Sequence, residues 1–411
     1  LKPAHYIVLT EDGIRKEKYW SVESKYHEDD LETTIEKVRW LFKDTVERQL
    51  VSDVPICTLL SGGLDSSAIS AIASNELRSN GYAILHTYSV DYENNNKYFE
   101  ANIYQPEADD YWAKFVSEYI GSEHHRVIID NDTLAESLIE AMYARDLPGM
   151  ADIDVSLYLF SKVIKNDFVV AVSGECADEI FGGYPWFYRE ESLNSNTFPW
   201  SRRMDSRLDL YSADITKKIK PREYLLYRYR EALSEVPILD GEEGNEKRMR
   251  ELFYLNLTRW MPTLLDRKDR MSMYTGLEIR VPFCDHRLVE YVWNIPWEMK
   301  NFNGMRKGIL REALKGILPE TIRTRPKNPY PKTFSPHYYE KVRNKVLSIV
   351  KNSDSPLNYL VNKNKILELT KYDGDFDLPW FGQLMRLPQL FAYLIQLNKW
   401  LKDYNVEIKL N

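Results

Sequence analysis

The chain has 411 residues, 44% of them hydrophobic, with 62 acidic against 55 basic side chains and a net charge of −7. That is enough apolar chain for one large core or two smaller ones. The acidic balance, without a long Lys/Arg block, excludes a general nucleic-acid binder, whose partner is itself polyanionic. No apolar run approaches the ~18 residues that a membrane span needs.

The three cysteines, Cys57, Cys176 and Cys284, lie far apart without metal-ligand spacing and read as reduced thiols of a cytoplasmic protein. The opening residues show no signal-peptide pattern, and none is expected. It begins at Leu1 rather than methionine, which points to the retained part of a longer protein.

Near the amino end, Tyr6-Ile7-Val8-Leu9 is β-like and is broken at Asp12-Gly13, a hairpin signal. From Asp30 onward, Leu31, Ile35, Val38, Phe42 and Val46 recur at three- and four-residue steps and predict a helix. Strands and helices then alternate. Strands are predicted over 54–60, 84–90, 126–129 and 168–173, with helices over 66–77, 112–120, 134–143 (capped by Asp132 or Thr133) and 155–164.

This alternation implies an α/β fold: a parallel sheet with helices on both faces, its ligands bound beyond the carboxyl ends of the strands. After about residue 185 the strand signals fade, and the last predicted strand closes the series. Helical patterns over 223–233, 247–265, 307–316 and 376–401 read as a helical part packed on the sheet, while 192–201 and 240–245 read as exposed loops.

Two unusual loops fall at the carboxyl edge. Ser61-Gly62-Gly63-Leu64-Asp65-Ser66-Ser67 joins the first buried strand to its helix. Glycines let the backbone approach an anion and present N–H groups, the helix dipole aims at the same place, and three serines add hydroxyls. An acidic residue in an anion cradle makes sense when a divalent cation bridges it to phosphates, so Asp65 is a metal-ligand candidate. The alternative is a tight turn whose serines only cap the helix. The Gly-Lys-Ser/Thr ending of a P-loop is absent; the loop resembles the pyrophosphate-binding loop of ATP pyrophosphatases.

The second loop, Ser173-Gly174-Glu175-Cys176-Ala177-Asp178-Glu179-Ile180-Phe181-Gly182-Gly183-Tyr184, follows the last predicted strand. Three carboxylates within five residues repel one another unless something cationic sits among them. An acid-rich helix start is the bland reading.

Together the loops resemble the asparagine synthetase B family. Further matches are Leu265-Asp266-Arg267-Lys268-Asp269-Arg270-Met271-Ser272-Met273, Gly276-Leu277-Glu278-Ile279-Arg280-Val281-Pro282-Phe283 and Lys307-Gly308-Ile309-Leu310-Arg311. The resemblance implies ATP and Mg²⁺ as cofactors, with Ser61, Gly62, Gly63, Asp65, Ser66 and Ser67 around the β- and γ-phosphates. Asp65 and Asp178 are implied as Mg²⁺ ligands, and Leu60, Val90, Ser173 and Gly174 as the adenine surround. Lys307 is implied at the α-phosphate, and Glu175 as the residue that orients or deprotonates ammonia.

The activity implied is adenylation of the aspartate side chain followed by amide formation with ammonia. A β-lactam synthetase or peptide-cyclising ligase of the same fold is the alternative. The organisation implied is a link over 1–24 from a missing glutaminase domain, a nucleotide-binding part over 25–185 and a helical part over 186–411, with a homodimer compatible.

The chain departs from the family in two places. Cys176 stands where relatives carry glycine or serine. Pro148-Gly149-Met150-Ala151-Asp152-Ile153-Asp154 has no arginine where some relatives carry Thr-Thr-x-Arg, so the acceptor pocket stays unassigned.

Overall fold

The computed structural model describes residues 1–99, 110–202, 204–372, 379–382 and 384–409. The predicted hairpin forms: β1 (His5–Thr10) pairs antiparallel with β2 (Gly13–Lys18), and Tyr6, Ile7, Leu9 and Ile14 stay exposed on it. The first helix, α1 (Leu31–Gln49), starts where Asp30 accepts a hydrogen bond from the Thr33 N–H at 2.8 Å, and it buries Val38, Phe42 and Val46.

The predicted alternation then follows as β3 (Ile56–Leu59), α2 (Leu64–Ser79), β4 (His86–Tyr92), α3 (Asp110–Ile120) and β5 (Glu123–Ile129). Residues 134–143 do not form one helix. Two short ones, α4 (Asn131–Glu136) and α5 (Leu138–Arg145), meet at Ser137, and the cap is Asp130, whose carboxylate accepts from Thr133 N–H at 2.8 Å. Next come α6 (Asp152–Ile164), β6 (Val170–Val172) and the short α7 (Ala177–Phe181).

The strand series does not end at β6. After α8 (Pro221–Ser234), α9 (Gly244–Leu255) and α10 (Met261–Met273), the chain returns as β7 (Glu278–Arg280), parallel to β6. Sheet order is β5-β4-β3-β6-β7, all parallel. With one apolar residue between two charged ones, β7 carries no strand signature. As an edge strand it can place Arg280 outward, where Nη1 donates to the carbonyls of Gln49 and Val51 at 2.7 Å each.

Both sheet faces are covered. Ile56, Val170 and Val172 pack with Val38 and Phe42 of α1 and Ile69 of α2, whereas Cys57 and Ala171 pack with Phe160 and Ile164 of α6. Burial on both sides is why β3 and β6 read as continuous apolar runs rather than alternating ones.

The helical run predicted over 247–265 is interrupted by a π-helical turn at Asn256–Trp260, just before Pro262, which cannot donate to the preceding turn. Later helices α11 (Gly308–Ala313), α12 (Pro336–Lys351) and α13 (Leu387–Asp403) complete the layer. The predicted beginning of the last helix at Phe376 lies outside the described residues, and the helix itself starts later, at Leu387. Val342, Val346, Leu390 and Phe391 of α12 and α13 share a core with Tyr92, Ile129 and Val155 beside the sheet.

Residues 192–201 are not a simple exposed loop: Ser192, Phe198 and Ser201 are buried, and Phe198 stacks on Trp200 with centroids 5.4 Å apart. None of the described helices is long and apolar enough to cross a membrane.

Candidate active site

The first loop leaves β3 at Leu59 and enters α2 at Leu64, two residues earlier than predicted. Gly62 has φ +71°, and a Cβ there would meet the Trp112 carbonyl carbon at 2.4 Å, so only glycine fits. The serines do not cap the helix. Its cap residue is Gly63, which has no side chain to cap with, while the Ser61 and Ser66 hydroxyls bond each other at 3.0 Å. The first N–H groups of α2, which have no acceptor within the helix, are left facing the turn.

The second loop leaves β6 at Val172 and turns through Cys176 (φ +77°) into α7. Burial pushes the Cys176 thiol well above its ordinary range, the condition of an inert sulfur. The two loops touch: a Cβ on Gly174 would lie 2.8 Å from Ser66 N and 3.0 Å from the Asp65 carbonyl carbon.

At their junction a buried charge cluster assembles. Lys307, in the left-handed region just before α11 (φ +57°), places Nζ 2.6 Å from Asp65 Oδ2 and 2.6 Å from Asp178 Oδ1. The other Asp178 oxygen takes Lys327 Nζ at 2.5 Å. Burial alone would raise the Asp178 carboxyl, but Lys307 and Lys327 outweigh it and hold the group well below the usual carboxylate range.

For Asp65 burial prevails and its pKa is raised, with Lys307 opposing and Asp178 adding to the rise. Glu179 is pushed up to about 7 by burial and then by Asp178, and accepts a hydrogen bond from Tyr184 Oη at 2.5 Å. Glu175 pairs through Oε1 with Lys268 Nζ at 3.0 Å, while Oε2 is buried without a hydrogen-bond partner among the described residues. The three crowded carboxylates are thus separated by lysines and by a tyrosine hydroxyl.

These groups line one cavity of about 410 Å³. Leu60, Ser61, Gly63, Asp65, Ser66, Val90, Ser173, Gly174, Glu175, Asp178 and Lys307 all border it; Gly62 and Ser67 do not. Gly62 instead accepts Arg325 Nη1 on its carbonyl at 2.9 Å, and the Ser67 hydroxyl is buried beneath the turn without a partner.

A divalent cation fits the donor set. Two carboxylates converge on a single nitrogen, and Asp65 Oδ1 is a buried oxygen with no donor among the described residues. Hard oxygen ligands of this kind suit Mg²⁺.

Sequence reading assigned no role to Lys327 or Arg325, and quoted Lys268 only within a family-matching segment. The proline-spaced stretch Arg325-Pro326-Lys327-Asn328-Pro329-Tyr330-Pro331 was a signal for a shaped loop, though not for its contacts. An arginine from α10 also borders the cavity: Arg267 Nε donates to Asp154 Oδ1 at 2.8 Å and its guanidinium lies over the Tyr330 ring at 5.2 Å.

Residues 37–402 match a family described as asparagine synthase. Asparagine synthetase [glutamine-hydrolyzing] 3 of Bacillus subtilis is 51% identical over 409 residues, covering 99% of this chain and 66% of that protein. Asparagine synthetase [glutamine-hydrolyzing] 1 of the same bacterium is 27% identical, covering 90% of this chain and 60% of that protein. The human asparagine synthetase [glutamine-hydrolyzing] is 28% identical, covering 76% and 46%.

The chain therefore spans from under half to about two thirds of the length of these relatives. Among solved structures, an NAD+ synthetase from Burkholderia pseudomallei aligns at 16% identity with a TM-score of 0.22, covering 64% of this chain and 87% of that one.

Proposed function

The chain belongs to the asparagine synthase family, and from that premise we propose that it adenylates the side-chain carboxylate of aspartate with ATP and converts the acyl-adenylate to asparagine with ammonia. One observation carries the reading: Lys307 Nζ lies 2.6 Å from both Asp65 and Asp178 where the two loops meet. A lysine and two acids in contact at a helix start match the needs of a triphosphate that must lose pyrophosphate.

In this reading the part of the cavity lined by Leu60, Val90, Ser173 and Gly174 takes the adenine. The turn Ser61–Gly63 and the first N–H groups of α2 hold the β- and γ-phosphates, with Ser66 adding its hydroxyl. Gly62 and Ser67 support that turn from behind. Asp65 and Asp178 would hold Mg²⁺, which neutralises phosphate charge and stabilises the departing pyrophosphate. On nucleotide binding Lys307 exchanges its carboxylate partners for the α-phosphate.

A carboxylate oxygen of aspartate attacks the α-phosphorus, the bond to the β-phosphate breaks, and pyrophosphate leaves. Lys307 stabilises the charge that develops on the phosphorus. Ammonia nitrogen then attacks the acyl carbon and AMP leaves. Glu175, fixed by Lys268 through one oxygen, offers its partnerless Oε2 to orient the amine and take its proton. Arg267 and Lys268 supply positive charge on the acceptor side. Glutamine as the source of ammonia, carried in the relatives' names, belongs to the same reading.

The test is product analysis with ATP, Mg²⁺ and ammonium, offering aspartate and then bulkier carboxylates. AMP and pyrophosphate in equal amounts, dependent on aspartate, are expected. Formation of ADP, or preference for a larger acyl substrate, would overturn the assignment.

A further inference from the structure

Away from the cavity, the sheet carries a second group of ligating side chains. His86 opens β4, and Glu123 and His125 lie on the adjoining edge strand β5, where His86 pairs with Glu123 and Tyr88 with His125. The two-residue repeat puts 123 and 125 on one sheet face and His124 on the other. There His124 is already satisfied, with Nδ1 2.9 Å from the Thr87 hydroxyl and Nε2 3.0 Å from the Ser89 hydroxyl.

His86 and His125 instead share a hydrogen bond with each other. His86 Nδ1 and His125 Nε2 face each other at 2.9 Å, and the Glu123 carboxylate lies 3.5 Å from His125 Nε2 and 3.9 Å from His86 Nε2. Among the described residues these imidazoles are the ion-pair partners of Glu123. One donor atom from each of the three residues falls within 4.8 Å of the others.

Aromatic packing orients the rings: Tyr88 stacks on His125 at 4.6 Å and Phe168 lies 5.0 Å from His86. Tyr88 is itself held by donating to Asp167 at 3.0 Å. Glu123 remains 58% exposed, leaving an entry path and room for water.

We propose that His86, Glu123 and His125 form a site for one divalent transition-metal ion of the zinc class, binding across β4 and β5 at the amino ends of the strands. Two imidazole nitrogens and one carboxylate oxygen suit Zn²⁺, Co²⁺, Ni²⁺ or Cu²⁺ rather than Mg²⁺. Three protein ligands leave one position open. Nitrogens on a tetrahedral ion stand roughly 3.3 Å apart, so the rings need to open by only a few tenths of an ångström.

The site is separate from the nucleotide cluster. His86 is in register with Cys57 near the start of β3, whereas Ser61 follows that strand's end.

The experiment is titration of the untagged protein with Co²⁺ in the presence of excess Mg²⁺, followed by visible absorption. The expected result is intense bands of four- or five-coordinate Co²⁺ saturating near one equivalent and removed by Zn²⁺. His86→Ala and His125→Ala should abolish the bands with unchanged far-ultraviolet circular dichroism, and Glu123→Gln should weaken affinity by about tenfold or more. His124→Ala should bind as the parent does.

Only the weak octahedral spectrum at one equivalent, or bands that survive in His86→Ala, would overturn the proposal. Glu123→Gln, on an exposed side chain, keeps the test decisive should a histidine variant fail to fold: undiminished affinity there also counts against the site.

Discussion

Lys307 Nζ stands 2.6 Å from Asp65 Oδ2 across 242 residues of chain. The proposed α-phosphate ligand therefore rests, in the protein alone, on the two acids proposed to hold Mg²⁺. Its ammonium offsets part of their charge, Lys327 sharing Asp178, and burial, which would lower the lysine pKa, is overcome by Asp178 and Asp65 so that it is raised. The ion pairs hold Asp178 in its charged form and keep both carboxylates in place, and in the proposed reaction the metal and the lysine exchange partners when the nucleotide enters.

Lys307→Ala removes this counter-ion from a buried site. Loss of one partner of a buried pair costs about 3–5 kcal/mol, so the variant should melt lower than the parent without metal. Mg²⁺ should raise its melting temperature more than the parent's, because no amine competes for the carboxylates. ATP-dependent pyrophosphate release should fall on the order of 10²–10³-fold. Equal melting with and without Mg²⁺, together with near-normal release, would refute the role.

Asp65→Ala should abolish pyrophosphate release while sparing the fold, since it relieves a carboxyl that burial and Asp178 disfavour. The measurement is pyrophosphate per mole of enzyme at saturating ATP. Turnover close to that of the parent would eliminate Asp65 as a metal ligand.

Much of this architecture was legible because its signals are local. Strands β3 and β6 are apolar runs, and each site loop is contiguous in sequence and bounded by a strand and a helix. β7 was hidden because Ile279 sits between Glu278 and Arg280, a pattern that only an edge strand tolerates. Lys327 was hidden for another reason: its partner Asp178 is 149 residues away, and a lysine in a proline-rich loop gives no hint of which acid it will meet. Asp178 and Glu175 were identifiable by type and crowding, whereas the lysines that separate them are products of the tertiary fold.

Glu175→Gln separates the two chemical steps. The amide can still accept from an N–H but takes no proton, so aspartate-dependent pyrophosphate release should persist within a few-fold while asparagine formation drops by about 10²-fold or more. Lys268→Met, which frees Glu175 Oε1, should give a milder form of the same split. Equal losses in both steps, measured by parallel pyrophosphate and asparagine assays, would count against Glu175 as the base.

Gly174→Ala tests the contact between the loops. The new methyl would lie 2.8 Å from Ser66 N and 3.0 Å from the Asp65 carbonyl carbon, both backbone atoms that cannot swing aside. Overpacking of this kind costs about 1–3 kcal/mol. The strain falls on the turn proposed to hold the phosphates, so the KM for ATP should rise several-fold more than the KM for aspartate. A change in neither, with normal melting, would mean that the loops are farther apart than this contact requires.

Asp152 offers a test of burial through pH. It lies at the start of α6, where Oδ2 accepts from Gln389 Nε2 at 3.0 Å and Oδ1 is buried without a partner. Burial pushes its carboxyl up to about 6; the Gln389 bond and Lys332 oppose the rise and Asp154 adds to it. Because the folded pKa exceeds the unfolded value near 3.9, the folded state holds this proton more tightly. Its contribution is therefore complete below about pH 4, declines as pH rises through about 6, and is gone above that. Asn at this position keeps a carbonyl acceptor for Gln389 and cannot ionise. Asp152→Asn should accordingly stabilise the protein at pH 8 by up to ~3 kcal/mol and flatten the decline between about pH 4 and 6. Urea unfolding of both proteins at pH 5 and pH 8 measures it, and a variant no more stable than the parent at pH 8 would show that Asp152 is compensated in the fold.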